Sequence, residues 1–375
     1  MSRALAHPRM RRLRLSPTLF GYIARQYAFW YIAYLLGLSC VILLISAVDL
    51  LGRLSTKEAS LTLVFEMVLL KLPYLAQEVM PFTILLAALT CFWRLTRFHE
   101  VVVTRAAGIS VWQFLTPSLM VAVLAGGVTT TVLNPVAAVL FGRFGQLEAR
   151  YVRNETSALS VSRGGLWLRQ GDPNGQSVIH ARRATTEPMV LHDVIVFRFA
   201  ESDRFVERID ARRAELGAGR WDLYDTWISR PGVPPRQAER AELPTRLTHA
   251  KILESFAPPE TISFWSLPGF IDLLEAAGFS AVRHKLQLHK LLAIPLLFAA
   301  MVLLAAMVSL RPQRGGRVGL LILSGVLIGF LVYFLSNFVF ALGISGKIPV
   351  VLAAWTPGGV SLLVGIATLL HLEDG

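Results

Sequence analysis

Six stretches of this chain stay apolar for longer than a buried core helix requires: about Tyr27 to Leu50, Leu63 to Trp93, Val111 to Leu133, Leu288 to Leu310, Val318 to Leu342 and Pro349 to Leu370. Crossing a hydrocarbon layer of about 30 Å takes about 20 helical residues, and every backbone polar group inside that layer must find its partner within the protein. Runs of this length are therefore read as transmembrane helices. Composition agrees, with 54% hydrophobic and 17% charged residues, against roughly 45–50% and 25% in soluble domains. The first run is too long for the apolar region of a cleavable signal and is followed by no Ala-x-Ala type of cleavage site, so it is expected to remain as an anchor.

Lysine and arginine in the short connections set the expected orientation. Arg3, Arg9, Arg11, Arg12, Arg14 and Arg25 precede or open the first span, Arg94, Arg97 and Arg105 follow the second, and Arg311, Arg314 and Arg317 follow the fourth. The opposite short loops carry only Arg53, Lys57 and Lys347. Both termini are thus expected in the cytoplasm, and the long segment between the third and fourth spans outside it, in a multi-pass protein of the cell inner membrane. The net charge of +12 needs no nucleic acid to explain it: much of it flanks membrane ends, where anionic lipid headgroups are the simpler partner. Cys40 and Cys91 fall at different depths of two spans, beyond the reach of a disulfide, and leave no cysteine metal site.

The long segment reads differently. Gly165-Leu166-Trp167-Leu168-Arg169, Ser177 to Ala181, Val194 to Phe199 and Arg220 to Tyr224 alternate as half-buried antiparallel strands, separated by turn residues at Gly171 to Gly175 and Gly217 to Gly219. A small sandwich or jelly roll is predicted, with Trp167, Trp221 and Trp227 expected in its core. Pro231, Pro234 and Pro235 mark a loop or an interrupted edge strand. From Ser266 to Gly278, Leu267, Phe270, Ile271 and Leu274 share one helical face, as in a juxtamembrane amphipathic helix. The predicted fold class is a polytopic α-helical membrane protein: residues 1–140 hold the N-terminal tail and helices one to three, 141–265 an extracytoplasmic β-jelly-roll-like domain, and 266–375 the juxtamembrane segment and helices four to six.

Motifs for catalysis are missing. There is no Gly-x4-Gly-Lys-Ser/Thr loop, so any ATP is used by another subunit. His99-Glu100 starts like a zinc-protease helix, but Val103 occupies the position of the second histidine, and no Gly-x-Ser-x-Gly elbow occurs. The expectation is a transport subunit that is not an enzyme and binds no cofactor. Within the second span, Lys71 and Glu78 lie two turns apart on one face and form a candidate intramembrane polar pair, while Pro73 and Pro81 bend the same helix. Between the second and third spans, Thr96 to Ala107 is a short basic and apolar segment that ends at Gly108. It reads either as a plain helical hairpin connection or as a coupling helix that docks on an ATPase.

Several residues in this order resemble the LptF/LptG family of lipopolysaccharide export permeases, the membrane subunits of an ABC transporter. They are Pro73-x3-Gln77-x3-Pro81, Glu100-Val101-Val102-Val103 to Gly108, Leu288-His289-Lys290-Leu291 leading to Pro295, the basic glycine loop Arg311 to Arg317, and Gly346-Lys347-Ile348-Pro349 through Ala353-Ala354-Trp355-x-Pro357. Gly165-Leu166-Trp167 leans to the LptG branch. The resemblance spans nearly the whole chain. It implies that Glu100, with Arg97 and Arg105, lies in a coupling helix against the ATPase, and that Arg53, Lys57 and Arg143 meet the phosphates of the lipid. It also implies four partners: a homologous LptF-like permease chain, a cytoplasmic LptB-like ATPase dimer that uses ATP, a periplasmic LptC/LptA-like jelly-roll bridge, and lipopolysaccharide itself. The implied function is extraction of lipopolysaccharide from the outer leaflet of the inner membrane. The rival reading is a secondary transporter or ligand-binding membrane protein with no ATPase, in which Lys71 and Glu78 couple to an ion.

Overall fold

The computed structural model describes residues 17–54, 61–153, 158–162, 165–172, 175–185, 189–200, 204–245, 258–276, 280–310 and 318–374. Among them are six helices long and apolar enough to cross a membrane: Pro17–Arg53, Leu61–Arg97, Val111–Tyr151, Val282–Ser309, Leu323–Ile344 and Val350–His371. The chain is a multi-pass membrane protein with a β domain inserted between its third and fourth spans. In full, helix α1 covers Pro17–Leu54, α2 Leu61–Arg97, α3 Glu100–Ala106, α4 Val111–Val128, α5 Asn134–Glu148, α6 Leu267–Ala276, α7 Val282–Ser309, α8 Val318–Ile344 and α9 Val350–Asp374.

The first three spans, of 37, 37 and 41 residues, are about 55–60 Å long at 1.5 Å per residue, near twice the hydrocarbon thickness. They are therefore longer than the hydrocarbon layer alone requires, and the third leads directly into the β domain. The third span continues past Asn134-Pro135, where the apolar run ends. A π turn at Thr129–Leu133 joins α4 to α5, and a second follows at Ala149–Arg153. Pro135 lies inside this continuous helical span, so its missing N–H leaves the Thr131 carbonyl, four residues earlier, without its helical donor, and the π turn accommodates the ring. The widened turn is stitched to its neighbours. Thr130 Oγ1 donates to the Leu291 carbonyl at 2.8 Å, and the Thr131 carbonyl accepts from Trp265 Nε1 at 3.0 Å. The β domain consequently starts at Ala158 rather than at residue 141.

Helix α7 is the centre of the bundle, enclosed by α2, α4 and α9. Phe92, Phe114, Leu115, Phe298 and Met301 are buried there in one cluster. Close approach of backbones replaces hydrophobic driving force inside lipid, which is why small residues sit at the crossings. At Gly126 an added Cβ would stand 2.6 Å from Pro295 Cα. On the outside, α1 and α8 leave Leu36, Ile45, Val48, Phe330, Leu331 and Phe334 uncovered.

The β domain is a seven-stranded antiparallel meander in the order β1 to β7: Ala158–Ser162, Gly165–Asp172, Gly175–Thr185, Val190–Phe199, Phe205–Gly217, Arg220–Arg230 and Val233–Pro244. The sheet curls into a jelly-roll-like form in which the Pro244 end of β7 reaches back to β2: Gln170 of β2 donates to the Pro244 carbonyl at 3.0 Å and accepts from Thr245 Oγ1 at 2.6 Å. The inner face buries Leu166, Leu168, Ile179, Val196, Ile209, Trp221 and Leu243, and α6 docks on it through Ile271 and Leu274. At about 1.5–3 kcal/mol for each fully buried large apolar side chain, the two anchors hold α6 firmly to the sheet. Glu207, only 4% exposed, is held between Arg198 at 2.7 Å and Arg230 at 2.9 Å. Burial pushes its carboxyl up, but the bonds from Arg230 and Arg198 outweigh that and hold it below the usual carboxylate range.

Trp221 takes the core position the alternation predicts. Trp167 and Trp227 do not: they are 40% and 50% exposed on the opposite face. Trp167 is out of phase with its buried neighbours Leu166 and Leu168. Trp227 shares the parity of Trp221 and Leu223, but Asp225 between them adopts φ 50, in the left-handed region, and shifts the pleat by one residue. Thr226 turns inward instead and Trp227 outward. Asp193 does the same in β4 with φ 54. The shifts align across the sheet as a crease.

Candidate functional site

Three groups of polar residues stand out against the apolar bundle. The first lies between α2 and α4. His99 takes φ 58 and breaks the helix, Glu100 opens α3 in the first turn where the helix dipole favours an anion, and Thr104 Oγ1 donates back to the Glu100 and Val101 carbonyls. Gly108, with φ 80, and the Ser110–Gln113 capping box then start α4. The helix is anchored by buried Val101 and leaves Phe98, Val102 and Val103 uncovered, with Arg97 and Arg105 exposed beside them. Arg97 lies 5.3 Å over the Trp93 ring. Glu100 Oε1 accepts from Tyr22 Oη of α1 at 3.2 Å. The short helix is thereby fastened to the first span, a link that the sequence alone does not signal because the partners are 78 residues apart.

The second group lies at the opposite end of α1. Arg53 Nε donates to Asp49 Oδ1 at 3.1 Å one turn earlier, and its Nη1 lies 3.9 Å from Glu148 Oε1 at the end of α5. Arg143, in the same α5, is exposed. Lys57 lies outside the described residues.

The third is a pocket of about 140 Å3 between α2, α7, α8 and α9, lined by Tyr74, Gln77, Glu78, Lys290, Asn337 and Phe340 among others. Glu78 does not pair with Lys71. Lys290 Nζ of α7 donates to Glu78 Oε1 at 2.9 Å and lies 5.5 Å over the Phe340 ring, while Lys71 Nζ sits 5.3 Å over Phe144 of α5. The reason is geometric. Two turns of one helix separate Lys71 and Glu78 by about 10 Å along the axis, whereas packing of α7 on α2 brings Lys290 directly alongside. The Leu288-His289-Lys290 sequence carries the signal, a lysine just inside an apolar span, but no spacing rule assigns its partner. Next to it, Trp355 Nε1 donates to His289 Nδ1 at 3.5 Å. Three or more His, Cys, Asp or Glu placed to hold a metal ion do not come together among the described residues.

These positions lie in a chain whose likeness to known proteins is broad. It is 23% identical over 312 residues to the lipopolysaccharide export system permease protein LptG of Escherichia coli strain K12, covering 81% of this chain and 84% of that protein. It is 22% identical over 300 residues to the protein of the same name from Haemophilus influenzae, covering 77% of this chain and 80% of that one. The family described as "Lipopolysaccharide export system permease LptF/LptG" matches residues 21–371, from the start of the first span to the end of the sixth. With six spans, the inserted β domain and a match over nearly all its length, this chain belongs to the LptF/LptG family of lipopolysaccharide export permeases.

Proposed function

We propose that this chain is one of two homologous membrane subunits of an ABC exporter that takes lipopolysaccharide from the outer leaflet of the inner membrane and passes it to a periplasmic bridge. The observation that carries the reading is the Tyr22–Glu100 bond. A seven-residue helix with an uncovered apolar and basic surface suits docking on a cytoplasmic ATPase, and its tie to α1 gives that docking a direct route into a span. The uncovered apolar faces of α1 and α8 suit pairing with a second six-span chain, leaving a cavity between the two chains. Arg53 and Arg143, with Lys57, offer cationic groups for lipid phosphates at the far end of the bundle. The β domain, with β7 an edge strand that meets β2 only at its Pro244 end, can extend a bridge protein's sheet by strand addition.

The test is purification of the tagged chain from its own membranes in mild detergent, followed by mass spectrometry and ATPase assay. Recovery of an ATPase, a second six-span chain and lipopolysaccharide is expected, and Glu100→Ala is expected to lose ATPase recruitment or coupling. Recovery of the chain alone, with transport untouched by Glu100→Ala, refutes the exporter reading. The Glu78–Lys290 pair in its pocket then favours a secondary transporter in which those two groups couple to an ion.

A further inference from the structure

The outward face of the β domain carries a further groove that contains no residue of the three polar groups described above. The strand register aligns Trp167, His180, Ile195, Asp210, Trp227 and Gln237 in one row from β2 to β7. Beside that row runs the crease, with Arg182, Asp193, Arg212 and Asp225 on four successive strands. His180, Asp210, Trp227 and Gln237, with the four crease residues, line a groove of about 580 Å3. Large aromatic side chains usually fill the inner face of a sheet, yet here the Trp227 indole is 50% exposed and Trp167, 40% exposed, lies 4.3 Å from the His180 ring. No side-chain ion pair among the described residues engages Arg182, Asp193, Arg212 or Asp225, although their charges alternate on adjacent strands. Asp193 and Asp225 also hold an unfavourable left-handed backbone, and their conformation is what turns Trp227 and the groove outward.

The charges select the ligand class. Asp210 is paired with Arg208, which leaves two guanidinium groups, Arg182 and Arg212, facing two carboxylates, Asp193 and Asp225, so the groove has no cationic excess for phosphate or sulfate and no anionic excess for a polycation. What it offers is an aromatic plate flanked by interleaved strong donors and acceptors, spaced across strands about 4.8 Å apart. A pyranose is the complementary shape: an apolar C–H face that stacks on indole, and a rim of hydroxyls, each both donor and acceptor, for carboxylate and guanidinium. We propose that this groove binds a neutral saccharide chain, one ring stacked on Trp227 and its hydroxyls bonded to the Asp193–Arg212–Asp225 row. The ligand is either the glycan of a lipid-linked saccharide or a cell-wall glycan. The proposal does not depend on the exporter reading.

Saturation-transfer NMR on the full chain in nanodiscs tests it with two probes: neutral hexose oligosaccharide released from lipopolysaccharide, and a tetramer of N-acetylglucosamine. Transfer to ring C–H protons of either probe is expected, and the probe that binds identifies the source. Trp227→Ala should weaken that binding about tenfold and Trp227→Tyr should restore most of it, while Asp225→Asn should weaken it with thermal unfolding unchanged. Absence of transfer to both probes, or equal transfer in wild type and Trp227→Ala, overturns the proposal.

Discussion

Removing the Glu78 carboxylate should destabilise the bundle through Lys290 and not through Lys71. At the 2.9 Å observed between Lys290 Nζ and Glu78 Oε1, two unit charges attract by about 6 kcal/mol at an effective dielectric near 20. Loss of hydration takes back most of this, and because the side chains are 41% and 35% exposed to the pocket, a net coupling of about 1–3 kcal/mol is expected. Glu78→Gln alone leaves Lys290 uncompensated beside Phe340 and should cost about 2–3 kcal/mol. The double variant Glu78→Gln with Lys290→Met should cost less than the two single variants added together, because neither charge is then stranded. Combining Glu78→Gln with Lys71→Met should be additive to within about 0.5 kcal/mol, since Lys71 rests on Phe144. Reversible unfolding in mixed detergent micelles, followed by circular dichroism, measures both cycles. Additivity in the Lys290 cycle, or coupling above 1 kcal/mol in the Lys71 cycle, refutes the assignment.

Three further outcomes follow from the packing and the charges. Gly126→Ala places a Cβ 2.6 Å from Pro295 Cα, so α4 and α7 must separate; a loss of about 1–3 kcal/mol is expected, read as a lowered midpoint in the same unfolding assay. The Glu207 carboxyl titrates below its unfolded value, so its stabilisation is present above the ordinary carboxylate range near 4.3 and is lost as pH falls through the lower folded value. In Glu207→Gln, hydrogen exchange of β5 should lose that acid dependence and show weaker protection at pH 7. Arg53→Glu replaces the pairs with Asp49 and Glu148 by like-charge contacts, at a total cost of about 1–2 kcal/mol; the fold should persist while lipid-stimulated ATP hydrolysis of the assembled complex falls, and unchanged stimulation removes Arg53 from the lipid site.

The spans were legible because the bilayer imposes a length that composition alone can meet, and the Ser266 to Gly278 stripe because Leu267, Ile271 and Leu274 repeat at helical spacing. The β strands were legible as alternation, but only as far as each strand kept its phase. At Asp193 and Asp225 a single left-handed residue moves every later side chain to the other face, and aspartate gives no warning of this, since it also occupies ordinary turns. Trp227 therefore read as core and stands on the surface. The same limit applied to Glu78. Helical periodicity relates residues on one helix, so it found Lys71, whereas the partner that holds the carboxylate comes from a helix more than 200 residues later. Tyr22 escaped for the same reason, as a tyrosine near the start of an apolar span usually marks an interface.

Helix α1 connects two of the polar groups in a way that neither suggests alone. Tyr22 near its start holds Glu100 of α3, and Arg53 near its end reaches Glu148 of α5. These positions are 31 residues apart, about 46 Å of helix, and no proline interrupts the stretch between them. Helix α2, by contrast, carries Pro73 and Pro81 on either side of Glu78. A displacement of α3 would then reach the far end of α1 as a rigid-body tilt, because an unbroken hydrogen-bonded helix has no soft point at which to absorb it. In α2 the same displacement can bend the helix at the prolines, where the ladder of bonds is already incomplete. The bundle thus contains a stiff member and a jointed one side by side, both adjoining α3, and the Glu78–Lys290 pair stands between the two joints. Motion at α3 is expected to shift α1 as a whole while reshaping the pocket around that pair.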